Sequence, residues 1–149
     1  MAKKKVLVCG AMGFLGRNIA EYLAERDDLE VHGTYFRTPP YNNSRINFLK
    51  ADLTKGEDVD KVVAGKDVVI QMSATTSGAK DIIGRPYIHV TDNAVSNQLL
   101  LRAAFENSVG HFIFPSCTVM YPPWNDFPVK ETDFTGEVED KYFGAAWMK

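Results

Sequence analysis

The stretch VLVCGAMGFLGRNIAEYL, residues 6–23, constrains this chain more than any other. An apolar run of strand length meets Gly10, Gly13 and Gly16, at every third residue, and a helical pattern follows at once. A strand buried on both faces reads as a continuous apolar run. A helix reads as apolar residues three and four apart. Glycine between them frees the backbone where a side chain would block a tight turn, the approach of another group, or the packing of helix on sheet. The unit expected is strand, turn and helix, the opening of a βαβ unit.

The rest of the chain repeats the alternation. Strands are expected at residues 5–9, 30–36, 46–51, 67–73 and 111–116. A helix is expected at 14–26, with apolar residues at 15, 19 and 23, and a second at 58–64, with Val59, Val62 and Val63 on one side. A long helix is expected at 86–109, with Leu99, Leu100, Ala103 and Ala104 inward, and residues 140–149 read as the start of another. Pro39-Pro40-Tyr41-Asn42-Asn43 and residues 121–128 read as irregular loops. Strands and helices in turn argue a parallel sheet with helices on both faces, and right-handed crossovers leave few topologies. The fold class expected is α/β: a doubly wound, Rossmann-like parallel sheet of order 3-2-1-4-5 in one domain, 1–149, with a ligand crevice where strands one and four diverge.

Composition narrows the partners. Apolar residues make up 45% of the chain, enough for a packed core. A formal net charge of −2 leaves no basic field for nucleic acid or an acidic membrane. The short Lys3-Lys4-Lys5 run reads as solvated charge ahead of the first strand. No apolar stretch reaches the length of about 18 residues that a transmembrane helix needs. The lysines run straight into a β-like segment, unlike a signal peptide. Cys9 and Cys117 make neither a disulfide framework nor a zinc set, so a reduced, cytoplasmic setting is expected. His111 reads as structural, and neither His32 nor His89 has a partner at metal-ligand spacing; no metal is expected.

The glycines take distinct roles. Gly10 permits the turn out of the strand, Gly13 admits a diphosphate without a Cβ in the way, and Gly16 lets the helix pack close to the sheet. The helix start, at Phe14, Leu15 and Gly16, offers unpaired N–H groups at the positive end of the helix dipole.

The spacing is G-x-x-G-x-x-G. With it the chain resembles the extended short-chain dehydrogenase/reductase family: the NAD(P)-dependent nucleotide-sugar epimerases, dehydratases and reductases, and among them the GDP-fucose-synthase-like members. Further residues carry the likeness. Ala51-Asp52-Leu53 resembles the family's adenine-contacting Asp-Leu, and Ser73-Ala74-Thr75 its small-residue turn beside the cofactor. Asn93 stands where the family often has Asn. Phe114-Pro115-Ser116-Cys117-Thr118-Val119-Met120-Tyr121 resembles the end of the fifth strand, and Lys130-Glu131 the Glu after the loop. Asp52 also reads as a helix or turn cap.

The family binds NAD or NADP. A carboxylate at the end of strand two, about 20 residues past the glycines, would take the ribose 2′-hydroxyl and repel a 2′-phosphate. Here that strand ends Thr34-Tyr35-Phe36-Arg37, with no acid. Arg37 can fork onto a phosphate, and Arg17 can reach the same place. NADP is the cofactor expected, with NAD the alternative; each arginine also reads as a solvated surface charge.

In the family a Tyr with a Lys four residues later transfers the proton, and a Ser or Thr hydroxyl after strand five holds the substrate oxygen, while hydride passes between the sugar carbon and the nicotinamide. A nearby ammonium moves the Tyr pKa down from about 10. Tyr142 falls in about the family's place, but four residues on stands Ala146. Lys149 is seven residues on, a spacing that shares a helix face two turns away. Alternatively, a local insertion displaces the Tyr and preserves the Lys. Counting back from Tyr121, the hydroxyl position falls on Cys117. A thiol is a poor donor, so Ser116 or Thr118 is expected in that role, and Cys117 reads as a small buried hydrophobe.

The family continues past this length with a C-terminal lobe that binds the nucleotide sugar, so the fold expected lacks the C-terminal substrate lobe. Its uncovered apolar surface would favour a homo-oligomer or a missing C-terminal partner segment. The function implied is epimerisation, dehydration or reduction of a nucleotide sugar, with Tyr142 as acid/base and neither nucleic acid nor membrane as partner. The alternative is an NAD(P)-binding module, or a split half, without turnover of its own.

Overall fold

A computed structural model describes residues 2–76, 78–85, 87–123 and 128–149. Pro86, expected to open the long helix, and residues 124–127 of an expected loop lie outside the described residues. The elements in chain order are β1 (Lys4–Cys9), α1 (Phe14–Ala24), β2 (Leu29–Tyr35), β3 (Ile46–Lys50), α2 (Gly56–Val63), β4 (Val68–Gln71), α3 (Ala79–Gly84), α4 (Tyr87–Glu106), β5 (His111–Ile113) and α5 (Phe143–Trp147). They divide into two compact units: Met1–Ala74 with Val95–Pro115, and Thr75–Ala94 with Ser116–Lys149.

The first unit holds the sheet. Every pairing is parallel and the order is β3-β2-β1-β4-β5, the doubly wound, Rossmann-like order expected. Val6 stands beside Val31 on one side and Val68 on the other. Because β1 is central and alternate side chains point to opposite faces, Val6, Leu7, Val8 and Cys9 are all buried. Leu7 and Cys9 join Val59, Val63, Val69 and Leu100 in one layer; Val6 and Val8 join Ala20, Val31 and Ile46 in the other. Burying an aliphatic side chain of this size contributes about 1.5–3 kcal/mol. In α2, Val59, Val62 and Val63 are buried as expected, and in α4 so are Leu100, Ala103 and Ala104, with Leu99 packed beside them.

Helix α1 forms within the stretch expected. Leu15 is 58% exposed, and Phe14 is 83% exposed. The buried residues are Gly16 and Ala20. The helix lies so close to the sheet that its contact line must be small, and the larger Ile19 and Leu23 pack from the flanks.

Three strands are shorter than expected, β3 by one residue. β4 stops at Gln71, where its partner β1 ends at Cys9 and the Ser73 N–H turns to the Gln71 side chain, and β5 stops at Ile113. In the second unit, the helix expected at residues 140–149 is a 3₁₀ turn, Asp140–Tyr142, followed by α5. α3 was not expected from the sequence. Cys117, read in a strand-like context, instead precedes a 3₁₀ turn at Thr118–Met120. Among the described residues, no helix is long and apolar enough to cross a membrane.

Candidate functional site

β1 delivers Cys9 to a turn that is held from both flanks. Gly10 takes φ +75°, a left-handed conformation open to glycine. Its N–H donates to Thr34 Oγ1 at 2.9 Å, and the Ala11 N–H donates to the Thr34 carbonyl at 3.0 Å. Thr34, on β2, is only 2% exposed. On the other flank, a Cβ on Gly10 would fall 2.7 Å from Ser73 Cα. The Gly13 N–H returns to the Gly10 carbonyl at 3.0 Å and closes the turn. A Cβ on Gly16 would fall 2.2 Å from that same carbonyl oxygen. Gly10 and Gly16 are therefore demanded by the protein's own packing.

Gly13 is different. It is exposed, sits at the N-cap of α1 with φ −78° and ψ 162°, and a Cβ there would meet only the Gly10 oxygen, at 3.4 Å. Packing does not demand its missing side chain. No side chain caps α1 and no acid stands in its first turn. The first intrahelical bond runs from the Arg17 N–H to the Gly13 carbonyl at 2.9 Å. The N–H groups of Phe14, Leu15 and Gly16 thus belong to the set that a helix start leaves without intrahelical partners. Clustered donors, a positive dipole end and an open approach fit a diphosphate.

The other residues expected around a dinucleotide sit as follows. Ser73 donates from N at 3.2 Å and from Oγ at 2.8 Å to Gln71 Oε1, while Ala74 is exposed. Leu53 is buried beside Ala51 and Val59, so its side chain serves the core. Asp52 Oδ1 accepts from Thr54 N at 3.1 Å and Thr54 Oγ1 at 2.7 Å, which makes it a turn cap, the alternative its sequence position allowed. Those Thr54 bonds hold the Asp52 carboxyl below the usual range; burial opposes them, and the charges of Lys55 and Arg37 add to them. Arg37 is exposed over the Phe36 ring, 5.4 Å from its centroid. Arg17 lays its guanidinium 4.2 Å from the Tyr41 ring centroid and donates from Nε to Glu21 at 2.9 Å.

In the second unit, Asn93 clamps the backbone of Thr75. Its Oδ1 accepts the Thr75 N–H at 2.8 Å and its Nδ2 donates to the Thr75 carbonyl at 2.9 Å. Ser116 and Thr118 are both exposed; the Ser116 hydroxyl donates to Met120 Sδ, and Thr118 opens the 3₁₀ turn on which α5 packs. Tyr142 is half-buried and is the N-cap of α5. The Lys141 ammonium lies 4.9 Å from the Tyr142 ring centroid and pairs with Glu139 at 2.8 Å, which raises the Lys141 pKa. Lys149 lies past the end of α5, its N–H on the Ala146 carbonyl at 3.2 Å. Ala146, four residues after Tyr142, is buried. Among the described residues, no cluster of three or more His, Cys, Asp or Glu side chains could hold a metal ion.

Three residues of this region escaped the sequence reading: Thr34, Gln71 and Asn97. The one available signal was an amide ending the otherwise apolar run Val68-Val69-Ile70-Gln71.

Comparison with known proteins agrees with this geometry. Residues 6–143 match the NAD dependent epimerase/dehydratase family. A low-salt glycan biosynthesis protein of Haloferax volcanii is 31% identical over 140 residues, covering 86% of this chain and 44% of its own length. A dTDP-glucose 4,6-dehydratase of Streptomyces niveus is 28% identical over 131 residues, covering 78% of this chain and 39% of its own. Among solved structures, a UDP-N-acetylglucosamine 4-epimerase from Methanobrevibacter ruminantium, in complex with UDP-N-acetylmuramic acid, matches with a TM-score of 0.77 at 25% identity, over 98% of this chain and 47% of that one. The chain spans less than half the length of each of these proteins. A glycine turn into an uncapped helix, a 3-2-1-4-5 parallel sheet and a match over residues 6–143 converge: the chain belongs to the NAD dependent epimerase/dehydratase family.

Proposed function

We propose that this chain is the cofactor-binding half of an NADP-linked epimerase, dehydratase or reductase acting on a nucleotide sugar. The observation that carries the reading is Gly13, whose missing side chain the fold does not need, in front of the uncapped start of α1. The nicotinamide cofactor supplies hydride transfer when bound. The N–H groups of Phe14, Leu15 and Gly16 hold the diphosphate. Asp52 and Leu53 lie at the adenine, and Ser73, Ala74 and Thr75 line the cofactor's other side. Arg37, with Arg17, holds a 2′-phosphate; the acid-free end of β2 supports NADP over NAD. Tyr142 takes and returns the proton of the sugar hydroxyl, Lys149 favours its phenolate, and Ser116 or Thr118 bonds the substrate oxygen. The nucleotide sugar is the substrate class that the names of the dehydratase and the 4-epimerase carry.

Two variants test the reading. Arg37→Ala should weaken NADPH by about tenfold, the scale of one charge-assisted contact, and leave NADH unchanged; equal affinities before and after would remove the case for NADP. Tyr142→Phe, in the full-length protein, should abolish hydride transfer to a nucleotide sugar while NADPH still binds. A binding module without turnover is the second reading, favoured by Ala146 at the place where the family's Lys stands. Saturable NADPH binding with no turnover in the full-length protein would select it.

A further inference from the structure

Gln71 ends β4, whose other residues, Val68, Val69 and Ile70, are apolar and buried. At 1% exposure its amide is shut off from bulk solvent, and burying an amide is unfavourable unless its bonds are satisfied. A Met would fill the same space without that demand. Here both ends of the amide are engaged. Oε1 accepts from Ser73 N at 3.2 Å and from Ser73 Oγ at 2.8 Å. Nε2 donates to Oδ1 of Asn97 at 2.9 Å, a residue of α4 that is itself only 8% exposed. The Ser73 backbone N–H can only donate, so it fixes which end of the amide faces it.

Ser73 is the residue that Gly10 abuts. A Cβ on Gly10 would fall 2.7 Å from Ser73 Cα and 2.8 Å from Ser73 N. Thr34 holds Gly10 from the opposite flank, and the Gly10 carbonyl receives the Gly13 N–H. A continuous series of contacts therefore runs from Asn97 through Gln71 and Ser73 to Gly10 and Gly13. Any drift of Ser73 is transmitted to the turn that presents the start of α1.

We infer that Gln71 is a positioning residue: its amide, anchored on Asn97, pins Ser73 against Gly10 and sets the crevice between the glycine turn and the β4 exit at the width a dinucleotide requires. The consequence for ligand rests on the dinucleotide reading above; the pinning does not. Gln71→Met keeps the volume and removes every bond of the amide. Ser73→Ala removes only the hydroxyl bond.

The experiment compares both variants with the unaltered chain by two readouts. The first is amide hydrogen exchange of residues 71–76 in the ligand-free chain. The second is the dissociation constant for NADPH and NADH, measured well below the unfolding temperature. Gln71→Met should speed exchange at Ser73 and raise the dissociation constants, each by about tenfold, with Ser73→Ala at about threefold or less, as expected for losing several hydrogen bonds against one. Amides of β1 should exchange as before, which a general loosening of the fold would not allow. Unchanged exchange at Ser73 overturns the pin. Faster exchange with unchanged affinity overturns its role toward the ligand. An unaltered chain that binds neither dinucleotide defeats the cofactor reading instead, and exchange still decides the pin. Should Gln71→Met fail to fold, Asn97→Leu removes the anchor from the other side and must give the same two shifts.

Discussion

Replacing Gly16 by alanine sets two effects of known sign against each other. In a helix interior, Ala is favoured over Gly by about 1 kcal/mol. Against that, the new Cβ would stand 2.2 Å from the Gly10 oxygen, 2.8 Å from the Gly10 carbonyl carbon and 3.3 Å from Ala11 Cα. All three are backbone atoms, so no side chain can swing aside. Reaching ordinary contact, about 3.5 Å between heavy atoms, requires α1 to lift from the turn by roughly 1 Å. Overpacking a close-packed site costs about 1–3 kcal/mol, and the upper end applies here because Thr34 and Ser73 hold Gly10 from both flanks. The net expectation is a destabilisation of about 1–2 kcal/mol. Urea unfolding reads it as a lower midpoint with unchanged slope. Gly13→Ala is the matched control. Its Cβ meets only the Gly10 oxygen, at 3.4 Å, so stability should fall only by the N-cap preference for Gly over Ala, about 0.5–1 kcal/mol. The same methyl stands before the α1 donors, so NADPH affinity should fall by tenfold or more, about 1.4 kcal/mol. A Gly16→Ala chain as stable as its parent would refute the close packing of α1. Undiminished NADPH binding by Gly13→Ala would refute the assignment of that space to ligand.

Further outcomes follow from the same contacts. Thr34→Val removes the acceptor of the Gly10 N–H and should cost about 1–3 kcal/mol in denaturant unfolding; a neutral substitution would mean that this flank of the turn is not held. Burial pushes the Cys9 thiol up to about 12, so a thiol reagent near neutral pH should label the native chain at the half-buried Cys117 and leave Cys9 untouched until urea is added. Native labelling that survives Cys117→Ser would contradict this. Burial, then the charge of Lys66, lowers the His32 pKa, with Lys5 adding to that and Glu30 opposing it. Below its ordinary value of about 6.5 the unfolded chain takes up a proton that the folded chain resists, so stability should fall as the pH drops through that value. His32→Gln should flatten the difference in stability between pH 7.5 and pH 5.5, and an unaltered difference would count against it.

The sheet was readable in the chain because its signals are local. Apolar runs such as Val6–Cys9 and Val68–Ile70 mark buried parallel strands wherever they occur, and the handedness of crossovers then leaves little choice of order. The glycine turn was readable for the same reason, since Gly10 answers a local need for a left-handed backbone and Gly16 the nearby Gly10 carbonyl. Periodicity says which residues share a face, not how near that face comes to the sheet; only small residues fit where α1 touches the turn. Gln71 and Asn97 lie 26 residues apart, and nothing local ties an amide at a strand end to one on a later helix. Asp52 carries two readings at once: its place marked it for adenine, and its Oδ1 also caps the turn through Thr54. Around Tyr142 the helical spacing to Lys149 assumed one continuous helix, and the chain instead passes from a 3₁₀ turn into α5.

The central claim is that the uncapped start of α1, behind Gly13, is a dinucleotide site. Calorimetric titration of the purified chain with NADPH and with NADH tests it most directly. The account predicts saturable binding at one site, with NADPH the tighter ligand. Absence of binding by either dinucleotide, in a chain shown to be folded, would contradict it.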